Sequence, residues 1–226
     1  MCIRDRYSYT RKGLIEVFDK QKIIVGYIVN DNTFCYDADN FMFSVGRVFA
    51  IVPNEPKNLF GILGILNSKL SSYQMRLKCP IKQGGYYKIS SKYLSDFSIP
   101  EGYNSEILLS KVIKIQELHK SYNLIIEKHL ELLIHNYSIS TSQKLESWNT
   151  LSFYDFIKEL NKAIKASKGT YLTKKDEFEW MELFEENKKK ALELKSQIDQ
   201  IDKEIDRIVY ELYGLTEEEI QIVENS

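Results

Sequence analysis

Apolar and polar residues follow different patterns in the two halves of the chain. The first half opens with a β-branched apolar run of strand length over residues 22–29, and residues 33–37 and 41–52 resume it after turns rich in Asn and Asp. These three runs predict an antiparallel meander. One face of the third strand is expected to carry Phe41, Phe43, Val45, Phe49 and Ile51.

A helix is predicted over residues 57–77, because apolar side chains recur there at steps of three and four. Because it follows the strands directly, we expect it to cover their apolar face. It contains Gly61 and Gly64, each of which costs a helix about 1 kcal/mol relative to alanine. Two such glycines indicate a close approach between helix and sheet. The apolar stripe comprises Leu59, Leu63, Leu66, Leu70, Tyr73 and Leu77.

The remaining elements change from short to long after residue 102. Residues 86–89 predict a last strand and residues 91–96 a helical turn. Beyond them, long helices are predicted over residues 105–137 and 175–213, with a shorter one over 151–166 and an irregular segment over 138–150. The last long helix, which Gly214 ends, has a heptad seam and is expected to pair with the first within the chain. Its seam comprises Trp180, Phe184, Asn187, Ala191, Leu194, Ile198, Ile201, Ile205, Ile208 and Leu212.

The pattern as a whole predicts an α+β fold. A small antiparallel sheet with a covering helix occupies residues 7–103, and a domain of long antiparallel helices occupies residues 104–226. With 43% hydrophobic and 28% charged residues the chain has the composition of a globular protein. No apolar run reaches the ~18 residues of a membrane span, so we expect no membrane partner and a cytoplasmic location. Cys2, Cys35 and Cys79 are expected to be free thiols.

Charge divides the chain at the same place. The net charge is only −1, but residues 1–100 hold 14 basic and 8 acidic side chains, whereas residues 101–226 hold 17 and 24. Within the first half, residues 57–95 carry seven Lys or Arg and no Asp or Glu. Cations without carboxylates to neutralise them are typical of a surface that binds a polyanion.

The second part of that stretch is predicted to be a cationic, aromatic loop with glycine hinges. Tyr86 and Tyr87 are neighbours on the predicted strand and therefore face opposite ways, so only one can reach a DNA groove. Gly84 and Gly85 would allow close approach of the backbone to DNA or a positive φ. The alternative is an ordinary solvated loop that only caps the sheet. The candidate DNA-binding residues are Arg76, Lys78, Lys82, Gly84, Gly85, Tyr86, Tyr87, Lys88 and Lys92.

Catalytic motifs are missing from the sequence. It has no glycine-rich phosphate loop and no GxGxxG unit. His119, His129 and His135 all lie on one predicted helix, away from any Ser or Cys nucleophile of the basic half. We expect His119 and His129 to be partly buried polar positions rather than metal ligands, and His135 to be a cation near the helix C-terminus. The chain by itself is predicted to have no catalytic residues, metal or cofactor.

The first six residues, MCIRDR, resemble the translation of a sequencing adapter joined to a gene fragment. We therefore expect that Met1 is not a natural start and that an upstream region is missing.

Several motifs of the first half resemble one family, the TaqI-like C-terminal specificity domain. That domain is the target-recognition part of type IIG restriction-modification enzymes and related adenine-specific DNA methyltransferases. The chain's ending over residues 205–220 also resembles the C-terminal tail of such enzymes. The resemblance rests on residues 22–52, the LNSKL sequence within residues 62–70, Gly85-Tyr86-Tyr87-Lys88, Tyr93-Leu94 and Ile99-Pro100.

The resemblance implies a parent enzyme that uses S-adenosylmethionine, with this chain as the end that reads double-stranded DNA. The methyltransferase core, with its Asn/Asp-Pro-Pro-Tyr/Phe motif, and any nuclease motif are absent from the sequence. They are expected in a missing N-terminal region. An alternative is a helical coiled-coil adaptor or oligomerisation protein that uses the seam over residues 180–212. A stand-alone DNA-modifying enzyme is a third possibility, which the missing motifs disfavour.

Overall fold

The computed structural model describes residues 15–40 and 47–226. By its internal contacts the chain divides into two compact units. The first comprises the chain up to Ile113 together with Lys203–Ser226, and the second comprises Lys114–Asp202. Among the described residues, no helix combines the length and apolar character needed to span a membrane. The expected strand positions Phe41, Phe43 and Val45 lie outside the described residues.

The apolar run over residues 22–29 forms two strands rather than one. After a short helix, α1 (Ile15–Phe18), it gives β1 (Lys22–Gly26) and β2 (Ile28–Val29), which belong to different sheets. Between them, the Tyr27 amide donates to the Arg47 carbonyl at 2.8 Å, and the Tyr27 carbonyl accepts from the Ile89 amide at 2.9 Å. The chain therefore passes from one sheet to the other at this residue.

The larger sheet has three antiparallel strands in the order β3-β1-β4, where β3 is Cys35–Asp37 and β4 is Val48–Ile51. The expectation of a meander is wrong, because β1 and not β3 lies in the middle. Ile23 and Val25 of β1 are buried beneath the covering helix, as alternation predicts. The α+β class and the antiparallel sheet are confirmed.

A buried ion pair joins the first residue of β1 to the last of β3. Lys22 and Asp37 are paired across the strands, their side chains are fully buried, and Nζ lies 2.7 Å from Oδ2. The Lys22 ammonium also donates to the Phe18 carbonyl at 2.9 Å and the Lys20 carbonyl at 3.3 Å. All three of its hydrogens are therefore satisfied, which a buried ammonium requires.

The helix predicted over residues 57–77 is interrupted in the structure, so the prediction of one continuous helix is wrong. A 3-10 turn (Pro56–Asn58) leads into α2 (Leu59–Leu66), and α3 (Lys69–Lys78) follows after a break. At the break, the Asn67 amide group bonds both backbone groups of Phe34, at 2.8 Å and 3.0 Å. The Ser68 hydroxyl then caps α3 by accepting from the Ser71 amide. Since the break changes the phase of the stripe, Leu77 is 67% exposed and Met75 is buried instead.

The two helix glycines allow a close approach, but not to the sheet. A Cβ at Gly61 would lie 2.3 Å from the Tyr103 carbonyl oxygen, and one at Gly64 would lie 2.5 Å from Val112 Cγ2. The predicted partner is therefore wrong: these glycines face the segment that begins α5 (Glu106–Tyr137). The sheet is covered by larger side chains of α2, among them Phe60, whose ring meets Tyr36 edge-on at 5.1 Å.

The long helices form where the periodicity predicts them. After α5 come α6 (Gln143–Glu146), α7 (Phe153–Ala166) and α8 (Lys174–Tyr213), and Gly214 ends α8 with a φ of 66°. The segment over residues 138–150 was expected to be irregular and instead holds α6 and a 3-10 turn (Trp148–Thr150). On α8 the seam residues are buried or half-buried along the whole helix, and α5 packs against it, which confirms the predicted pairing within the chain.

The core of the second unit is built around an aromatic cluster that includes a histidine. His129 of α5 is fully buried and stacks on Trp148, with 3.9 Å between ring centroids. Trp180 and Phe184 of α8 close the cluster at 5.6 Å and 6.4 Å from the same imidazole. The prediction of partial burial is thus wrong for both seam histidines, since His129 is fully enclosed and His119 is exposed. His135 is exposed in the last turn of α5, as expected.

Candidate nucleic-acid interface

Residues 80–88 fold as a β-hairpin in the first unit. Its returning arm, β5 (Tyr87–Lys88), pairs antiparallel with β2 in a second, two-stranded sheet. Its two arms are joined near the tip by a hydrogen bond of 2.6 Å from the Lys82 amide to the Tyr86 carbonyl. The stretch predicted to be a cationic loop is therefore a two-stranded ribbon, whose strands are the two arms of the hairpin.

Two glycines form the tip of this hairpin. Gly84 and Gly85 have φ of 85° and 80°, in the left-handed region that favours glycine. The Gly85 amide donates to the Lys82 carbonyl at 3.2 Å and closes the turn. These glycines were expected either to adopt a positive φ or to allow the backbone to approach DNA, and the structure shows the positive φ. A Cβ at Gly85 would have no atom within 4 Å, so the tip at this residue is open to a ligand.

Alternation along the ribbon gives it an outer face and an inner face. Lys88 lies opposite Ile28 in register, and Tyr86 lies two residues before Lys88 and opposite Lys82. These four residues share a side, and we call them the outer hairpin face. Ile28 is 52% exposed and Tyr86 is 45% exposed. The Lys88 ammonium lies 5.2 Å from the centroid of the Tyr27 ring, which holds it at the sheet surface.

The inner face of the ribbon is part of the core next to β2 but not on the outer arm, where Ile81, opposite Tyr87, is 67% exposed. Val29 and Ile89 are buried, and Tyr87 between them is half-buried. The two neighbouring tyrosines therefore have different environments: Tyr86 faces solvent and Tyr87 packs inward.

Four of the candidate cations have no carboxylate within 4.0 Å in the described part of the chain: Lys78, Lys82, Lys88 and Lys92. Lys78 ends α3, Lys92 lies on α4 (Ser91–Ser95), and the other two lie on the outer hairpin face. Arg76 differs from them. Its Nη1 donates to the Ser226 carbonyl at 2.7 Å, and its Nη2 lies 3.8 Å from Asp31 Oδ1.

Helix α3, which carries Arg76 and Lys78, is held from the C-terminal part of the first unit. The buried carboxylate of Asp206 accepts from the Lys69 amide at 2.8 Å, at the N-terminus of α3, where the helix dipole favours an anion. Lys69 also pairs with Glu224 of α9 (Glu217–Glu224), and its ammonium lowers the pKa of that carboxyl. The C-terminal segment thus supports the candidate interface, a role that the sequence does not indicate.

Helix α4 is anchored to α3 by Tyr93. Its ring is buried, its hydroxyl donates to the Ser71 carbonyl at 3.3 Å, and burial raises the pKa of Tyr93 to about 12. Lys92 immediately precedes this anchor, lies four residues after Lys88 in the sequence, and is exposed. Among the residues described, no group of three or more His, Cys, Asp or Glu side chains is placed to hold a metal ion.

Sequence reasoning missed the exposed apolar residues of this surface. Leu77 and Ile81 are each 67% exposed, and Ile28, which the sequence indicates only as part of an apolar strand, is 52% exposed. Ile81 could have been found from its place between Pro80 and Lys82 on a hairpin arm. The exposure of Ile28 follows from the change of sheet at Tyr27, for which the local sequence carries no signal.

Comparison with known families agrees with this geometry. Residues 4–99 match the family model of the TaqI-like C-terminal specificity domain, and residues 102–209 match a domain of unknown function, DUF8810. A search of curated proteins finds no match to the chain. The hairpin, the LNSKL sequence at the start of α3 and the Tyr93 anchor all lie within the first of these segments. The candidate interface of this chain therefore lies in a segment similar to the TaqI-like C-terminal specificity domain, and a segment similar to DUF8810 follows it.

Proposed function

We propose that the TaqI-like domain reads the sequence of double-stranded DNA as the specificity part of a restriction-modification adenine-N6 DNA methyltransferase. The observation that carries this proposal is the outer hairpin face: within a segment similar to a specificity domain, Lys82, Tyr86 and Lys88 stand together on a two-stranded ribbon, with no carboxylate of the described residues within 4.0 Å of either lysine. The major groove of B-DNA is about 12 Å wide and admits such a ribbon. We therefore propose that the hairpin is the element that enters the groove.

Each residue type of this surface has a separate task. The lysine ammonium groups contact phosphates, which fix the position of the protein on the duplex and are independent of sequence. Tyr86 and Ile28 lie among the cations, where an aromatic ring and an apolar side chain meet base edges and thymine methyl groups. The open tip at Gly85 lets the backbone come close to the DNA. Arg76 has partners already, so a phosphate would have to displace Ser226 or Asp31.

Neutralising the hairpin cations is expected to weaken binding to every duplex about equally. Lys82→Gln and Lys88→Gln should each lower the slope of log Kd against log salt by about 0.9. Tyr86→Ala should instead reduce the preference for the selected sequence over a scrambled one. The measurement is fluorescence anisotropy with duplexes selected by the chain from a random library, titrated between about 50 and 200 mM salt.

The matched control is Lys57→Gln, which removes a charge from the same unit at an exposed residue paired with Glu55. It should leave the slope unchanged. Gly85→Ala adds a methyl group into open space but strains the turn at a φ of 80°, so its binding is compared with wild type only after retained folding has been verified by circular dichroism. Wild-type affinity in Lys82→Gln, Lys88→Gln and Gly85→Ala would leave the hairpin with a structural role only.

We assign extrusion of the target adenine and methyl transfer from S-adenosylmethionine to a region outside this chain. The sequence contains no two adjacent prolines and therefore no Asn/Asp-Pro-Pro-Tyr/Phe motif. Incubation of the chain with DNA and S-adenosylmethionine labelled in its methyl group should give unlabelled DNA. Label in the DNA would contradict this assignment and place catalytic residues in the chain.

The adaptor alternative relied on a free heptad seam. In the second unit, Trp180, Phe184, Ala191 and Ile198 are buried within the chain, so these seam residues are not exposed for a partner helix. Their burial weighs against an adaptor that dimerises through α8 and favours DNA reading.

A further inference from the structure

One face of α7, in the second unit, carries a row of exposed lysines. Tyr154, Lys158, Lys162 and Lys165 follow one another at steps of four, four and three, and all four are exposed. Such spacing places them in a line along the helix. We call this row the basic stripe of α7. Its opposite face, with Phe156, Leu160 and Ile164, is buried in the aromatic core and fixes the orientation of the helix.

The loop after α7 widens the stripe into a shallow groove of about 500 Å³. The Asn161 side chain accepts from the Leu172 amide at 2.9 Å and holds the loop against the helix. Tyr171, which is 54% exposed, is thereby placed beside the stripe, with its ring centroid 5.8 Å from the Lys165 ammonium. Tyr154, at 76% exposure, borders the groove from the helix. Two tyrosines thus flank the cations.

The charges around the stripe leave a surplus of cations. Residues 153–175 hold six lysines and two acidic residues, although the half of the chain in which they lie is acidic overall. Of the two carboxylates, Asp155 accepts from the Ser152 hydroxyl, and Glu159 lies 3.8 Å from Lys162 and 3.4 Å from Lys144. Glu177, which also lines the groove, is paired with Lys174 at 2.6 Å. In the described part of the chain, Lys158 and Lys165 have no carboxylate within 4.0 Å.

We propose that the basic stripe of α7 binds the phosphodiester backbone of DNA, as a second contact that does not read sequence. From Lys158 to Lys165 the helix axis advances about 10 Å, a distance over which one DNA strand presents about three phosphates. Three lysines in a row therefore match the number of phosphates that one strand presents over this length of duplex axis. Tyrosine hydroxyl groups beside them are common donors to phosphate oxygens. The proposal gives the DUF8810 segment a task of its own, and it is independent of base reading by the hairpin.

The test is a triple variant of the full chain, K158Q/K162Q/K165Q, titrated with a duplex of the selected sequence and with a scrambled one. Loss of three phosphate contacts should lower the slope of log Kd against log salt by about two to three. The fold-loss of affinity should be equal for the two duplexes. The matched control is K120Q/K128Q/K189Q, which removes three exposed lysines elsewhere in the same unit. An unchanged slope in the stripe variant, or an equal loss in the control, would overturn the proposal.

Two further measurements distinguish DNA binding by the stripe from membrane binding and from DNA binding by the hairpin. Vesicles of phosphatidylcholine with phosphatidylserine test for an anionic membrane surface. If the stripe variant loses vesicle binding but keeps wild-type affinity for DNA, the ligand of the stripe is a membrane and the proposal of DNA binding is overturned. The hairpin variants Lys82→Gln and Lys88→Gln separate the two proposals. If the hairpin variants bind like wild type while the stripe variant is impaired, the hairpin proposal fails and the stripe proposal stands. If the hairpin variants are impaired while the stripe variant binds like wild type, the stripe proposal fails and the hairpin proposal stands.

Discussion

Replacing Lys22 with methionine is expected to destabilise the first unit by about 3–5 kcal/mol, because it takes the ammonium away from a fully buried carboxylate. Asp37 has no exposed side-chain surface, and its Oδ2 lies 2.7 Å from the Lys22 Nζ. The Phe18 and Lys20 carbonyls lose a donor in the same step. A typical domain is stable by only about 5–15 kcal/mol, so the loss would leave the sheet marginal.

Hydrogen exchange of the β1 amides in rising urea measures this effect. Tryptophan fluorescence cannot measure it, since Trp148 and Trp180 both lie in the second unit. Lys57→Met serves as the control, because it breaks an exposed ion pair with Glu55 and should leave the stability of the first unit close to that of wild type. The double variant K22M/D37L removes both charges and should recover most of the stability. A double variant as unstable as Lys22→Met would show that removal of the ammonium from the buried Asp37 carboxylate is not the cause.

Acidification from pH 7 to pH 4 is expected to remove about 3 kcal/mol of stability from the second unit through His129 alone. Burial among aromatic rings lowers the pKa of His129 from its usual 6.5 to about 4. The unfolded chain binds a proton in this range and the folded chain does not. Stability is therefore complete above about pH 6.5 and is lost as the pH falls towards 4. Attraction of a charged imidazole to the Trp148 ring opposes the shift, but it is worth only about 0.5–2 kcal/mol.

The imidazole environment explains why the folded state resists protonation. The Asn187 side-chain nitrogen lies 3.2 Å from His129 Nδ1, and with this amide group as donor the neutral ring carries its hydrogen on Nε2. Urea unfolding followed by tryptophan fluorescence between pH 7 and 4.5 tests the effect, since both tryptophans contact this ring. His129→Gln should reduce the dependence in that range and leave the contribution of His119, whose pKa desolvation also lowers, and His135→Gln, at an exposed residue, should retain the full dependence. Equal pH dependence in wild type and His129→Gln would refute the prediction.

The long helices could be predicted from the sequence, whereas the sheet connections could not. The helices α5, α7 and α8 each bury one face over many turns, so apolar spacing alone locates them. The change of sheet at Tyr27 depends on Arg47 and Ile89, which are distant in sequence and leave no local pattern. Ser68, the N-cap of α3, is a residue type that indicates a helix start in the sequence. The apolar spacing continues across the break, however, and therefore predicts one helix.

The candidate site was predictable in composition but not in orientation. Cations, tyrosines and glycines could be found from the acid-free stretch, and the structure brings Lys82, Tyr86 and Lys88 to one face of a ribbon. Which tyrosine faces out depends on strand register, which a two-residue strand does not reveal. The engagement of Arg76 by Ser226 spans 150 residues and has no local signal. The basic stripe of α7 was overlooked because the net charge of the acidic half conceals six lysines within residues 153–175.

The carboxylate of Asp206 determines how this specificity domain could be transplanted between relatives. It lies 137 residues after Lys69 and still completes the N-terminus of α3. In a chimera that exchanged only residues 7–103, α3 would come from one parent, and the residues at positions 206 and 224 would come from the other. Lys69 would then lose both of its matched partners, Asp206 and Glu224. The exchangeable cassette is therefore two pieces of chain, the N-terminal part and the C-terminal segment Lys203–Ser226 that carries Asp206 and Glu224.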